Sequence, residues 1–135
     1  MKIRGVTHPI PKKFAERIYN DGKTVFVAKS YLGKVSKGDK FVIYESRGAK
    51  AYTGWAEINF IAKLSPSKIL NKFKDKLIVN EDEFKEYSKG RQELTVIEFV
   101  NFQKFKQPVK PKRFVSISGK YIYSEEFKMI KSRLG

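Results

Sequence analysis

The stretch Lys34-Val-Ser-Lys-Gly38-Asp39-Lys40-Phe-Val-Ile-Tyr44-Glu-Ser-Arg47-Gly48, continued by Ala49-Lys-Ala-Tyr52-Thr-Gly54-Trp55-Ala-Glu-Ile58, decides how this chain folds. Gly38 and Asp39 tolerate the backbone angles of a tight reversal. The run Phe41 to Tyr44 is apolar on both faces and predicts a buried strand. Glu45 to Gly48 forms a polar corner, and Tyr52 to Ile58 returns as a second strand. An arginine, a serine, two tyrosines and the only tryptophan therefore fall close together, and a binding cleft is expected at that corner.

Toward the N-terminus, Met1 to Val6 reads as a short edge strand and His8-Pro9-Ile10-Pro11 as a rigid approach to a helix, with Pro11 in the first helical position. Phe14, Ala15, Ile18 and Tyr19 share one face of that helix, and Gly22 stops it. Thr24 to Ser30 is β-branched and almost wholly apolar, which predicts a central strand covered on both faces and ending at Lys29.

Toward the C-terminus, the returning strand runs to Ala62, and Gly54 inside it signals a bulge or a close backbone approach. Ser65-Pro66 starts a helix whose inward stripe is Ile69, Leu70 and Phe73. Leu77 to Val79 reads as a brief strand or a packed connector. Asn80 with Glu83 has the spacing of a capping box, opening a helix that carries Phe84 and Tyr87 inward and stops at Gly90. Leu94 to Phe102 alternates as a strand. From Gln103 to Arg113, Pro108 and Pro111 break regular pairing. Phe114 to Ser118 is expected as the last strand, Gly119 as a turn, and Ser124 as the cap of a terminal helix.

Together these elements predict an α/β chain of the α+β kind, with residues 1–135 as one domain. About five to seven strands linked by short turns favour a mixed, largely antiparallel sheet that closes on itself with helices at its periphery, since an open sheet would leave exposed edges.

The 29 Lys and Arg against 14 Asp and Glu give a net charge of +15, which points to a polyanionic partner, with RNA as the expected one. A composition adopted for heat would raise Glu alongside Lys, and here the acids lag. The absence of cysteine excludes disulfides, thiolate chemistry and Cys-based zinc sites. His8 is the only histidine, expected at the surface or as a capping group, and no metal or cofactor is expected. No apolar run reaches the roughly 18 residues of a membrane span. Met1 to Arg4 does not lead into a signal-peptide core, so a cytoplasmic protein with no membrane partner is expected.

Lys34-Val-Ser-Lys-Gly38-Asp39-Lys40, then Val42-Ile-Tyr44-Glu-Ser46, then Gly54-Trp-Ala-Glu-Ile58 resembles the turn, strand and Gly-x-Ala-x-Ile return of PUA-like pseudo-barrels. Among these the chain is most similar to the archaeal DUF365 family of unknown function, with EVE and ASCH domains as more distant relatives. The helix, glycine and strand from Phe14 to Lys29 also resemble an ASCH opening. ASCH domains carry Gly-x-Lys-x-x-Glu-x-Arg across that junction, where this chain has Gly22, Thr24, Val27 and Lys29. Only the final base is kept. The missing glutamate argues against an ASCH-type enzyme, and the resemblance implies RNA binding, with a base-recognising pocket implied by the EVE likeness.

Lys29, Ser46 and Arg47 are the polar groups expected at the cleft: Arg offers a planar fork for a phosphate or base edge, and Lys a point charge. Tyr31, Tyr44, Tyr52 and Trp55 are candidate stacking surfaces for an unstacked base, with Trp55 favoured as facing the cleft. Aromatic residues at strand spacing also pack into cores, and an Arg before a Gly also serves as a solvated turn residue. Lys110, Lys112 and Arg113 belong to a basic run without any acid between Glu98 and Glu125; it either tracks a phosphate backbone or forms a solvated loop. No Ser/His/acid set and no phosphate-cradling glycine loop is present. The leading expectation is an RNA-binding module taking one nucleotide, with a small ASCH-like ribonuclease or nucleotide-processing enzyme and an interaction domain of a ribonucleoprotein as alternatives.

Overall fold

The computed structural model describes residues 2–134. Six strands, β1 (Ile3–Pro11), β2 (Val25–Ala28), β3 (Lys40–Arg47), β4 (Ala51–Leu64), β5 (Leu94–Val109) and β6 (Lys120–Tyr123), form one sheet in the order β2-β5-β4-β3-β1-β6. Only β1 and β3 run parallel; every other neighbouring pair is antiparallel. The sheet curls into a half-barrel. The rings of His8 on β1 and Phe26 on β2 approach to 5.2 Å although three strands separate β1 from β2 in the sheet.

Four helices surround it: α1 (Lys12–Asp21), α2 (Pro66–Phe73), α3 (Glu81–Tyr87) and α4 (Ser124–Leu134). Their ends follow local chemistry. Gly22 takes the left-handed conformation that closes α1, at φ 67°. Ser65 accepts from the Lys68 amide at the start of α2, and Asn80 and Glu83 make a reciprocal capping box on α3. Glu83 also accepts from Arg17 at 2.5 Å, tying α3 to α1, and that guanidinium holds the Glu83 carboxyl down at about 2.

Alternation along the strands sends side chains into separate apolar clusters. Phe41, Ile43, Ala56, Ile58 and Phe99 fill the inside of the curl under Ala15 and Ile18 of α1. Val42, Tyr52, Trp55 and Phe105 point to the other face, where Phe127 and Ile130 of α4 cover them. A third cluster seats Ile69, Phe73 and Phe84 against Val25, Val27, Leu94 and Val96. Gly54 lets β4 and β5 approach closely: a Cβ there would stand 2.8 Å from the Phe102 ring and 2.9 Å from the Gln103 carbonyl.

Several sequence expectations are corrected. The first strand is not a short edge; β1 continues through Pro9 to Pro11 and lies between β3 and β6. The strand after Gly22 is not central, since β2 ends the sheet with β5 as its only ladder partner. β5 runs on through Pro108 to Val109, but regular pairing with β4 is lost there, the partners stepping from Gly54 and Lys104 to Tyr52 and Val109, and Pro111 lies beyond the strand. Phe114 to Ser118 forms a loop, and the last strand is Lys120–Tyr123. Of the two readings of Leu77 to Val79, the packed connector holds, with Leu77 bridged to Val25.

Candidate functional site

A cleft of about 890 Å³ opens where the curled sheet fails to close, between β1, the end of β2, the corner after β3 and the loop 114–118. The structure brings Lys29, Tyr44, Ser46 and Arg47 to its lining. Lys29 leaves the end of β2, and its Nζ lies 4.8 Å over the ring of Tyr87. Tyr44, Ser46 and Arg47 come from the last turn of β3, the polar corner that ends the buried run. Lys50, with φ 51°, completes the reversal and adds a third cation. Glu45 fixes the corner: its carboxylate accepts from the Ala49 amide at 3.0 Å, and its carbonyl accepts from the Lys50 amide at 3.0 Å.

The cleft is polarised by depth. Lys29, Arg47 and Lys50 are exposed at its mouth, and no carboxylate is among the lining residues. His8 and Ala28 are buried at its floor. His8 is only 2% exposed, and its Nε2 has no hydrogen-bond partner among the described residues. Burial pushes the imidazole down to about 4, so it is uncharged at neutral pH.

The loop that roofs the cleft is pinned from both ends. Lys112 pairs with Glu125 at 2.6 Å and donates its amide to Glu126 at 3.3 Å. Ser30 Oγ donates to the Ser118 carbonyl at 2.8 Å. Gly119, at φ 82°, lets the loop pass close over β1; a Cβ there would stand 2.4 Å from the Thr7 carbonyl oxygen and 2.8 Å from His8 Nδ1. Between these anchors Val115 is buried, whereas Phe114 and Ile117 are 87% and 91% exposed at the mouth.

Other sequence-derived candidates lie elsewhere. Trp55 does not face the cleft: it is 5% exposed, stacks on Phe127 at 5.5 Å, meets Phe105 edge-on and donates to Gln103 at 3.3 Å. Its face of β4 is covered by α4, which alternation alone could not reveal. Tyr52 is fully buried and donates to Glu126 at 2.7 Å; burial and that carboxylate raise its pKa. Tyr31 is exposed but stands outside the cleft lining, with Lys63 Nζ 4.7 Å over its ring. Lys110 and Arg113 are exposed beside the cleft roof, while Lys112 is partly neutralised by the acids at the start of α4. Sequence reasoning missed His8, Lys50, Tyr87 and Phe114. For His8 the available signal was the alternation of Val6, His8 and Ile10, which sets it on the same face of β1 as two apolar residues.

This architecture, a curled mixed sheet with peripheral helices, is the PUA-like fold of ASCH domains. The crystal structure of ASCH from Zymomonas mobilis matches with a TM-score of 0.83 at 17% identity, covering 96% of this chain and 94% of that one. A mutant of the same protein matches at 0.84 with 16% identity, covering 98% and 97%. The N-terminal domain of Staphylothermus marinus McrB matches at 0.58 with 14% identity, covering 96% and 92%. At such identities the likeness shows the fold. The chain belongs to the DUF365 family, a domain of unknown function, which matches residues 3–124. An uncharacterized protein of Methanocaldococcus jannaschii is 35% identical over 107 residues, 70% of this chain and 99% of that protein.

Proposed function

We propose that this protein is an RNA-binding domain that seats one nucleotide in the cleft between β1, β3 and the loop 114–118. The observation that carries the reading is the cleft's charge: Lys29, Arg47 and Lys50 stand at its mouth with no carboxylate in its lining. Lys and Arg together hold a phosphate by point charge and by a planar fork. Phe114, rather than Trp55, is the exposed aromatic available for stacking at the mouth. Lys110 and Arg113, adjacent on the roof segment, are placed to follow the flanking backbone. The PUA-like fold supports the reading, as does the net charge of +15.

Binding of labelled single-stranded RNA, followed by fluorescence anisotropy at 50 and 200 mM salt, tests it. Three phosphate contacts give a logarithmic slope of about −2, so the fourfold rise in salt weakens binding roughly 20-fold. Arg47→Ala lowers both affinity and slope, and Phe114→Ala lowers affinity with the slope kept. Affinity indifferent to salt, or unaltered in both variants, overturns the reading. Cleavage of the RNA, lost in Lys29→Ala, would move the function to the enzymatic alternative.

A further inference from the structure

The cleft has a floor as well as a mouth, and the two differ in chemistry. The mouth is cationic, whereas the floor is apolar around a single polar side chain. Ala28 is buried in the same lining as His8, Pro9 follows it in sequence, and the tilted Phe26 ring lies 5.2 Å from the imidazole. The volume, about 890 Å³, accommodates a ligand that reaches from one region to the other.

A buried nitrogen without a partner is costly, and native structures keep such groups few. The neighbourhood of His8 does not relieve it. Thr7, the preceding residue, donates its hydroxyl to the Val42 carbonyl at 2.7 Å, and Gly119 offers no side chain. Nor can the imidazole act as a further cation for phosphate, because burial keeps it uncharged at neutral pH. A neutral imidazole carries one donor and one acceptor on diverging sides of its ring, so a single nitrogen, here the unpartnered Nε2, is left to bond one polar atom of a heterocycle edge. In a dry site a ligand group makes that bond without competition from water.

We propose that the His8 imidazole reads, by hydrogen bonding, the edge of an uncharged planar heterocycle seated on the cleft floor, while the cations at the mouth hold the attached phosphate. This rests on the nucleotide reading given above and adds to it a division of labour: His8 determines specificity for the base, and Lys29, Arg47 and Lys50 serve the phosphate irrespective of what it carries. The expected discrimination is therefore between a nucleoside monophosphate and the same sugar phosphate without its base.

Calorimetric titration with AMP, CMP, GMP and UMP, and with ribose 5-phosphate as the probe lacking a base, tests the assignment. At least one monophosphate should bind the wild type about tenfold or more tightly than ribose 5-phosphate, the worth of one hydrogen bond in a dry site. His8→Phe, which fills the position without a polar atom, should bring that monophosphate to the level of ribose 5-phosphate and leave ribose 5-phosphate itself unchanged. His8→Gln, which restores a donor and an acceptor, should recover part of the preference, an effect that packing alone would not produce. Thermal melts of both variants establish that each is folded. Equal binding of the monophosphate by wild type and a folded His8→Phe overturns the role of His8 while leaving the cleft as a nucleotide site. Equal binding of all monophosphates and ribose 5-phosphate by the wild type overturns base recognition at the floor. Absence of binding to any of these probes and to RNA overturns the nucleotide reading itself.

Discussion

The imidazole of His8 makes the stability of this protein depend on pH in a window where little else is shifted. Its pKa falls from an ordinary 6.5 to about 4 on folding, because burial penalises the charged form. The unfolded chain therefore binds more protons than the native one below pH 6.5, and stability declines as pH falls from there toward 4. Linkage between those two values gives a loss of about 2 kcal/mol between pH 7 and pH 5, and a native pKa one unit higher still leaves roughly 1.5 kcal/mol. Glu83, held at about 2, titrates below this window, and Tyr19, pushed by burial to about 12, titrates above it. The assay is urea denaturation at pH 5, 6 and 7, with the emission of Trp55, the only tryptophan and a buried one, reporting unfolding. Wild type should lose stability across the series, and His8→Phe should be nearly flat. An equal slope in both proteins, or an imidazole titrating near 6.5 by NMR, refutes the reasoning.

Trp55→Ala removes the ring sandwiched by Phe127 and Phe105 and should cost about 3 to 5 kcal/mol in urea denaturation. RNA affinity measured where the variant remains folded should be unaltered, and a loss of binding with stability intact would return Trp55 to the site. Glu83→Gln weakens both the capping box and the ion pair with Arg17, for an expected loss of about 1 to 2 kcal/mol at pH 7. Because the native carboxyl sits at about 2 against an ordinary 4.5, the wild-type advantage should shrink as pH falls below 4.5, which melts at pH 7 and pH 3 will read.

Much of the fold was legible because local chemistry agreed with the tertiary outcome. Gly22, Ser65 and the Asn80/Glu83 pair end or begin helices where their side chains and backbone angles require. The corner after Tyr44 was legible for the same reason, and the cleft residues Ser46 and Arg47 follow from it, while Lys29 follows from the polar end of β2. The remainder depended on pairings between distant segments. Pro9 and Pro11 argued for an early end to β1, yet the strand continues beside β3 to a register shift between Ile10 and Pro11. Trp55 shares a face with polar Glu57, a pattern that reads as solvent until α4 arrives from seventy residues downstream to cover it. His8 looked like a surface histidine before a proline. Its burial comes from Phe26 across the curl and from the loop ending at Gly119, neither of which is near it in sequence.

The placement of β1 carries a consequence for the order of events during synthesis. This strand emerges before the rest of the sheet, yet its ladder partners begin at Lys40 on one side and Lys120 on the other. The second partner is linked to it again where the Ser124 amide donates to the Lys2 carbonyl at 3.0 Å. A ribosome that has released only the first hundred residues holds a chain with β3 available but with no β6, and with no loop 114–118 over the cleft. Pairings that span such separations require closure of nearly the whole chain before they return any free energy. The cleft is therefore completed only once Gly119 has emerged, and a chain that stops short of Gly119 keeps the cations while losing the roof.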